Sequence, residues 1–117
     1  MEHNLQELAA AKNELVLNGK MIEATQTYFA LNAKSLDFDG SRTSNQAEMI
    51  TKMEGFLGAI AKVNGITLNH ASASGNVSFA EFIFDFDMVD GSKILWHEIL
   101  RSVWKDGKII EEQYFKG

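Results

Sequence analysis

The chain contains no cysteine and no proline among its 117 residues. Without cysteine, a disulfide framework, a thiolate zinc site and a cysteine nucleophile are all excluded. Average usage would place about six prolines in a chain this long; their absence removes Pro-rich linkers and every X-Pro isomerisation. Basic residues are outnumbered, 11 Lys and Arg against 16 Asp and Glu, for a net charge of -5. That balance argues against broad binding to nucleic acid or to an anionic membrane. No apolar run approaches the roughly 18 residues that span a bilayer. The N-terminus, MEHNLQELAAAKNELV, carries acids early and lacks a basic-then-apolar leader pattern. A cytoplasmic protein with one domain over residues 1–117 is the expectation from length and composition.

What is present is unevenly placed. Tyr28, Phe29, Phe38 and Phe56 lie in the first part of the chain, and the other eight aromatics fall between Phe79 and Phe115. The first part has helical spacing and the last part strand spacing. Residues 4–17 set Leu5, Leu8, Ala9, Leu15 and Val16 near one helical face, with Asn18-Gly19 as the stop. A second helix is expected over 20–32, with Met21, Ala24, Tyr28 and Leu31 at spacings of three and four. Residues 35–39 read as an edge strand or extended turn, and 40–45 as a polar loop. A long helix is expected over 45–63, capped by Ser44 and striped by Met49, Met53, Phe56, Leu57 and Ile60.

The period then changes to two, and four strands are expected over 66–74, 77–88, 93–104 and 109–116. The last joins, Val89-Asp90-Gly91 and Lys105-Asp106-Gly107, suit three-residue hairpins with Gly in the left-handed position. Such loops preserve side-chain parity, so even-numbered residues share one face. That face carries Phe82, Phe84, Phe86, Met88, Trp96, Glu98, Leu100, Ser102, Trp104, Ile110, Glu112 and Tyr114. A two-residue Asp-Gly turn at either join would flip parity there and could bring Leu95, His97, Ile99 and Arg101 inward instead. The odd face, with Phe79, Ile83, Leu95, Ile99 and Val103, is too apolar to be wholly solvated. It suggests a homodimer through the outer side of the sheet.

This order of helices, a short strand and then a long curled sheet is distinctive. The segment Asn32-Ala33-Lys34-Ser35-Leu36-Asp37-Phe38-Asp39-Gly40 resembles the stretch after the second helix in ketosteroid isomerases and polyketide-cyclase-like proteins. The ending Trp104-Lys105-Asp106-Gly107-Lys108-Ile109-Ile110-Glu111-Glu112-Gln113-Tyr114-Phe115 is similar to that group's last hairpin. Together they resemble the nuclear transport factor 2-like superfamily in its SnoaL-like branch. The resemblance implies an α+β, cystatin-like fold: a cone-shaped roll with N-terminal helices packed in a curved antiparallel sheet and a pocket at one end. It also implies frequent homodimers, and it leaves the chemistry open, since members include isomerases, cyclases, dehydratases and proteins without catalysis.

By the resemblance, Asp37 matches the proton-moving carboxylate of the isomerases. Simple alternation, with Leu36 and Phe38 inward, would instead turn Asp37 to solvent. The family's oxyanion donors do not carry over, because Leu100 stands near the place of one and Lys12 near the place of the other. Glu98, two residues before Leu100 on the same face, is the candidate displaced acid or base. Glu112 and Tyr114 share that face on the last strand, where a buried Tyr hydroxyl needs a partner. The catalytic candidates are therefore Asp37, Glu98 and Glu112. The candidate ligand wall is Tyr28, Phe56, Phe82, Phe84, Phe86, Trp96, Leu100 and Tyr114; the phenylalanines could equally fill the core.

His3, His70 and His97 are the only histidines. Asp85, Asp87 and His97 could meet on the odd face, but exposed carboxylates beside a strand His are more often plain surface, so no metal is expected. No cofactor motif is present. Gly55 and Gly58 suggest a close approach of the long helix to the sheet. The leading functional expectation is a domain that binds a small, largely apolar molecule in the cone. A cofactor-free isomerase, cyclase or dehydratase using pocket carboxylates, and a non-catalytic dimerisation or interaction module, are the alternatives.

Overall fold

The computed structural model describes residues 4–117, so His3 lies outside the described residues. Helix α1 (Leu5–Leu17) begins where the Asn4 side chain accepts from the Gln6 N–H at 2.8 Å. It ends at Gly19, whose φ of 75° lets the next N–H fold back, Lys20 donating to the Leu15 carbonyl at 2.8 Å.

Helix α2 (Met21–Tyr28) stops four residues short of the sequence expectation, because strand β1 (Phe29–Leu36) starts there. Pairing beside the last strand buries Phe29 and Ala33 and leaves Leu31 80% exposed. Tertiary pairing has overridden a helical spacing. The Gln46 amide secures the junction, donating to the Phe29 carbonyl at 2.9 Å. After the two-residue strand β2 (Arg42–Thr43) comes α3 (Gln46–Gly58). Its cap is Asn45, not Ser44: the Asn45 side chain accepts from Glu48 N–H at 2.9 Å, and the Glu48 carboxylate reaches back to Ser44 N–H at 2.6 Å.

α3 also ends early. Ile60 and Val63, expected on the helix, belong to β3 (Ile60–Ser74), where they pair with Met88 and Phe86 of β4 (Val77–Met88). Neither Gly55 nor Gly58 mediates a close approach, since a Cβ at either position would meet nothing within 4 Å.

With β5 (Lys93–Lys105) and β6 (Lys108–Lys116), the strands form one sheet in the order β2-β1-β6-β5-β4-β3. The fold is α+β, with an open, curled sheet and three helices. The sheet is mixed rather than purely antiparallel, because β1 runs parallel to β6, Ser35 facing Glu112.

The two Asp-Gly hairpins differ. Between β4 and β5 the loop is three residues, closed by Met88 N–H on the Ser92 carbonyl at 2.8 Å, with Gly91 at φ 88°. Between β5 and β6, Lys105 pairs directly with Lys108, and Asp106 and Gly107 both have positive φ (52° and 79°). That is the two-residue turn that flips parity. A bulge corrects it at once: Trp104 faces Ile109, and Val103 faces Glu111. Ile109, not Ile110, is therefore the fully buried residue, and from Glu112 onward the even face is inward again. Phe82, Phe84, Phe86, Leu100, Ser102 and Trp104 are all buried on this face.

Candidate functional site

α1, α2 and α3 form, with the inner sheet face, a cavity of about 210 Å³ that is open to solvent where Lys52 stands. Val16, Met21, Met49, Met53, Phe56, Phe84, Phe86, Trp96 and Leu100 give it an apolar wall. Phe56 stacks on Trp96 with centroids 5.0 Å apart and meets Phe86 edge-on at 5.8 Å. Such contacts add about 0.5–1.5 kcal/mol beyond area burial and hold the wall in shape.

The polar groups sit in two places. On one side Lys12 Nζ donates to Glu112 Oε2 at 3.1 Å, and Ser102 Oγ donates to the same oxygen at 2.6 Å. All three residues are buried. On the other, Lys52 Nζ holds Asp37 Oδ2 at 3.2 Å and Ser41 Oγ at 3.0 Å, in a partly solvated setting. Ser35 and Thr43 hydrogen-bond to each other on the wall.

The Glu98 carboxyl makes no hydrogen bond among the described residues. Burial, then the nearby negative charges of Asp37 and Glu112, raise its pKa from 4.5 to about 7, opposed by Lys52. Tyr114 is held well above its usual value, chiefly by burial and then by the Glu112 charge, so its hydroxyl keeps its proton. A carboxyl that exchanges a proton near neutrality thus shares a largely apolar cavity wall with a protonated tyrosine.

Asp37, Glu98, Glu112, Phe56, Phe84, Phe86, Trp96, Leu100 and Tyr114 all lie on the cavity wall. Asp37 points in, not out: the chain turns after Leu36, Gly40 N–H closing on the Asp37 carbonyl at 3.0 Å, and Phe38 swings to solvent. Two expected wall residues lie elsewhere. Tyr28 packs edge-on to Trp104 at 6.3 Å in a second core cluster, and Phe82 is fully buried behind Phe84. Lys52, Met21, Met49, Met53 and the Ser35–Thr43 pair were not foreseen as site residues. Nor was Lys12, which the sequence reading treated only as a mismatch to a family donor. Its signal was available: Leu5, Ala9, Lys12 and Val16 share one face of α1, and a lysine in an apolar stripe needs a buried counter-charge.

On the outer sheet face, His97 Nε2 lies 2.6 Å from Glu81 Oε2, not against Asp85 or Asp87. Those carboxylates are hydrogen-bonded by the Asn64 amide at 3.3 and 2.9 Å. His70 approaches the other Glu81 oxygen at 3.8 Å. Among the described residues, no group of three or more His, Asp or Glu side chains is placed to hold a metal, and no helix is long and apolar enough to cross a membrane.

A family model described as a SnoaL-like domain matches residues 4–116. The chain belongs to the SnoaL-like domain family. Solved structures share the fold. A candidate SnoaL-like polyketide cyclase from Mesorhizobium loti is 21% identical, with 97% of this chain and 99% of that chain covered and a TM-score of 0.86. An NTF2-like protein of unknown function from Burkholderia pseudomallei is 10% identical, covering 99% and 92%, at TM-score 0.80. A protein with a ketosteroid isomerase-like fold from Catenulispora acidiphila, in complex with trimethylamine, is 15% identical, covering 95% and 85%, at TM-score 0.77. At such identities the likeness carries the fold and not the chemistry. No curated protein matches the sequence.

Proposed function

We propose that this SnoaL-like domain binds a small, largely apolar molecule in its cone. The observation that carries this reading is the cavity of about 210 Å³, apolar on most of its wall, with its lysines already paired to carboxylates. Pockets for small molecules have this pattern: hydrophobic lining with a few placed polar groups. Trp96 lies on the wall and Trp104 in a separate cluster, so a small arene such as nitrobenzene should quench Trp96 saturably. Ala24→Met, which extends a side chain into the cavity, should abolish saturation. Linear quenching, identical in both proteins, would refute ligand binding at this site.

Catalysis is the second reading, favoured by Glu98. A carboxyl with a pKa of about 7 on the same cavity wall as a protonated tyrosine suits proton transfer in a cofactor-free isomerase, cyclase or dehydratase, with Asp37 and Glu112 as further candidates. Glu98→Gln should then remove turnover while sparing ligand affinity. We also infer a homodimer through the outer sheet face, supported by exposed Phe79, Leu95 and Phe115 and half-buried Ile83, Ile99 and Val103. Sedimentation at micromolar concentration should give twice the chain mass; a monomer would remove this inference.

A further inference from the structure

A second hollow lies outside the cone, between α1 and the edge strand β3. It begins with small side chains. After the irregular step between Leu68 and His70, Ala71 pairs with Ala80 and Ala73 with Ser78, and both partners are buried on the inner side of the sheet. The stretch of α1 that faces them presents Ala9 and Ala10. Alanines on both walls are too short to fill the space between a helix and a sheet, and a groove of about 340 Å³ remains. That volume falls within the usual range of small-molecule sites, about 300–1,000 Å³.

Small residues alone would leave only a gap. The polar group in this one is Asn13, one turn along α1 from Ala9 and Ala10. Asn13 is 4% exposed, yet its carboxamide makes no hydrogen bond among the described residues. Every fully covered side-chain N or O atom among them has a partner, so the uncovered part of Asn13 is its amide, and it opens on the groove that it lines. One acceptor and two donors are thus fixed on an otherwise covered side chain, where unmade hydrogen bonds are costly.

We propose that this groove is a second ligand site, for a planar ring that carries an amide edge. The edge is a carboxamide or a lactam, whose neighbouring C=O and N–H pair with Asn13 Nδ2 and Oδ1. Donor matching selects the class. A carboxylate only accepts, so it leaves Oδ1 without a donor, and it meets the exposed Glu14 carboxylate on the rim. An ammonium only donates and leaves Nδ2 unmatched. An amide satisfies both atoms with two parallel bonds. At an interior packing density of about 0.75, 340 Å³ holds roughly 255 Å³ of atoms, enough for one or two rings. No residue of the groove lines the cone cavity, so this inference does not rest on the reading of that cavity. The groove is also on the helix side of the sheet, and a dimer through the outer face would leave it open.

The test compares benzamide with acetophenone, which has a methyl in place of the amide nitrogen, on the full chain labelled at its alanine methyls. Benzamide should move the Ala9, Ala71 and Ala73 resonances saturably, whether or not it also moves Ala24 in the cone cavity. Acetophenone should bind the groove at least about tenfold more weakly, as expected when a placed acceptor loses its donor. Asn13→Leu should bring the two probes to equal affinity. Ala71→Leu fills the groove from β3 without altering Asn13 and should abolish the benzamide shift at Ala9, which keeps the test decisive if Asn13→Leu does not fold. Benzamide shifts confined to Ala24 overturn the proposal, as does the absence of any groove shift up to the solubility limit. Equal affinity of the two probes in the unaltered protein overturns it too, and so does a preference for benzamide that survives Asn13→Leu.

Discussion

The cavity has two lysine–carboxylate pairs of nearly equal length and opposite surroundings. Lys12–Glu112 spans 3.1 Å with side chains 5% and 2% exposed; Lys52–Asp37 spans 3.2 Å with side chains 50% and 21% exposed. Distance is therefore not what distinguishes them. The first pair has been taken out of water and held by Ser102, so each partner exists to neutralise the other. The second is screened and can exchange its bonds for water. One side of the cavity is thereby rigid and charged, and the other adaptable.

Breaking the pairs should separate the two ends sharply. Lys12→Met alone strands the Glu112 charge and should cost about 3–5 kcal/mol in urea unfolding. The double change with Glu112→Gln should cost less than the single one. If the single change costs under about 1 kcal/mol, the buried end is wetter than the geometry states.

Glu98 tests the electrostatics between the two ends. Its folded pKa of about 7 lies above the ordinary 4.5, so the folded state binds its proton more tightly. Stability should be undiminished below about pH 4.5 and should fall as pH rises through 7, by roughly 3 kcal/mol at most. Glu98→Gln should flatten that slope and be the more stable protein at pH 8. Thermal unfolding across the range checks the sign.

Smaller effects belong to the exposed side. Gly55 sits inside α3 with helical φ and open space around it, so Gly55→Ala should stabilise by about 0.5–1 kcal/mol. Lys52→Ala should cost about 0.5 kcal/mol or less, and less still in high salt. A loss comparable to that of Lys12→Met would erase the distinction between the two ends.

Much of the inner sheet was legible because strand parity is a local rule. Phe84, Phe86, Trp96, Glu98 and Leu100 reach the cavity by alternation alone. The β5–β6 hairpin shows where the rule needed help. Asp106-Gly107 made the parity-flipping turn, and the bulge at Ile109 and Ile110 flipped it back. Two departures cancelled, so Glu112 and Tyr114 were placed correctly while Ile110 was not. The helix ends were misjudged for a different reason. Residues 29–32 and 59–63 fit a helical stripe, yet their partners in β6 and β4 lie far along the chain.

The sequence by itself determined the change from helical to strand period, the hairpin positions and the inward row of aromatics. Each depends on neighbours within a few residues. Only the tertiary structure decided that Asp37 turns inward, that β1 lies parallel to β6, and that Lys12 meets Glu112 a hundred residues away. A local stripe can show that Lys12 needs a counter-charge, but which carboxylate supplies it, and how far burial shifts a neighbour's pKa, are properties of the folded surroundings.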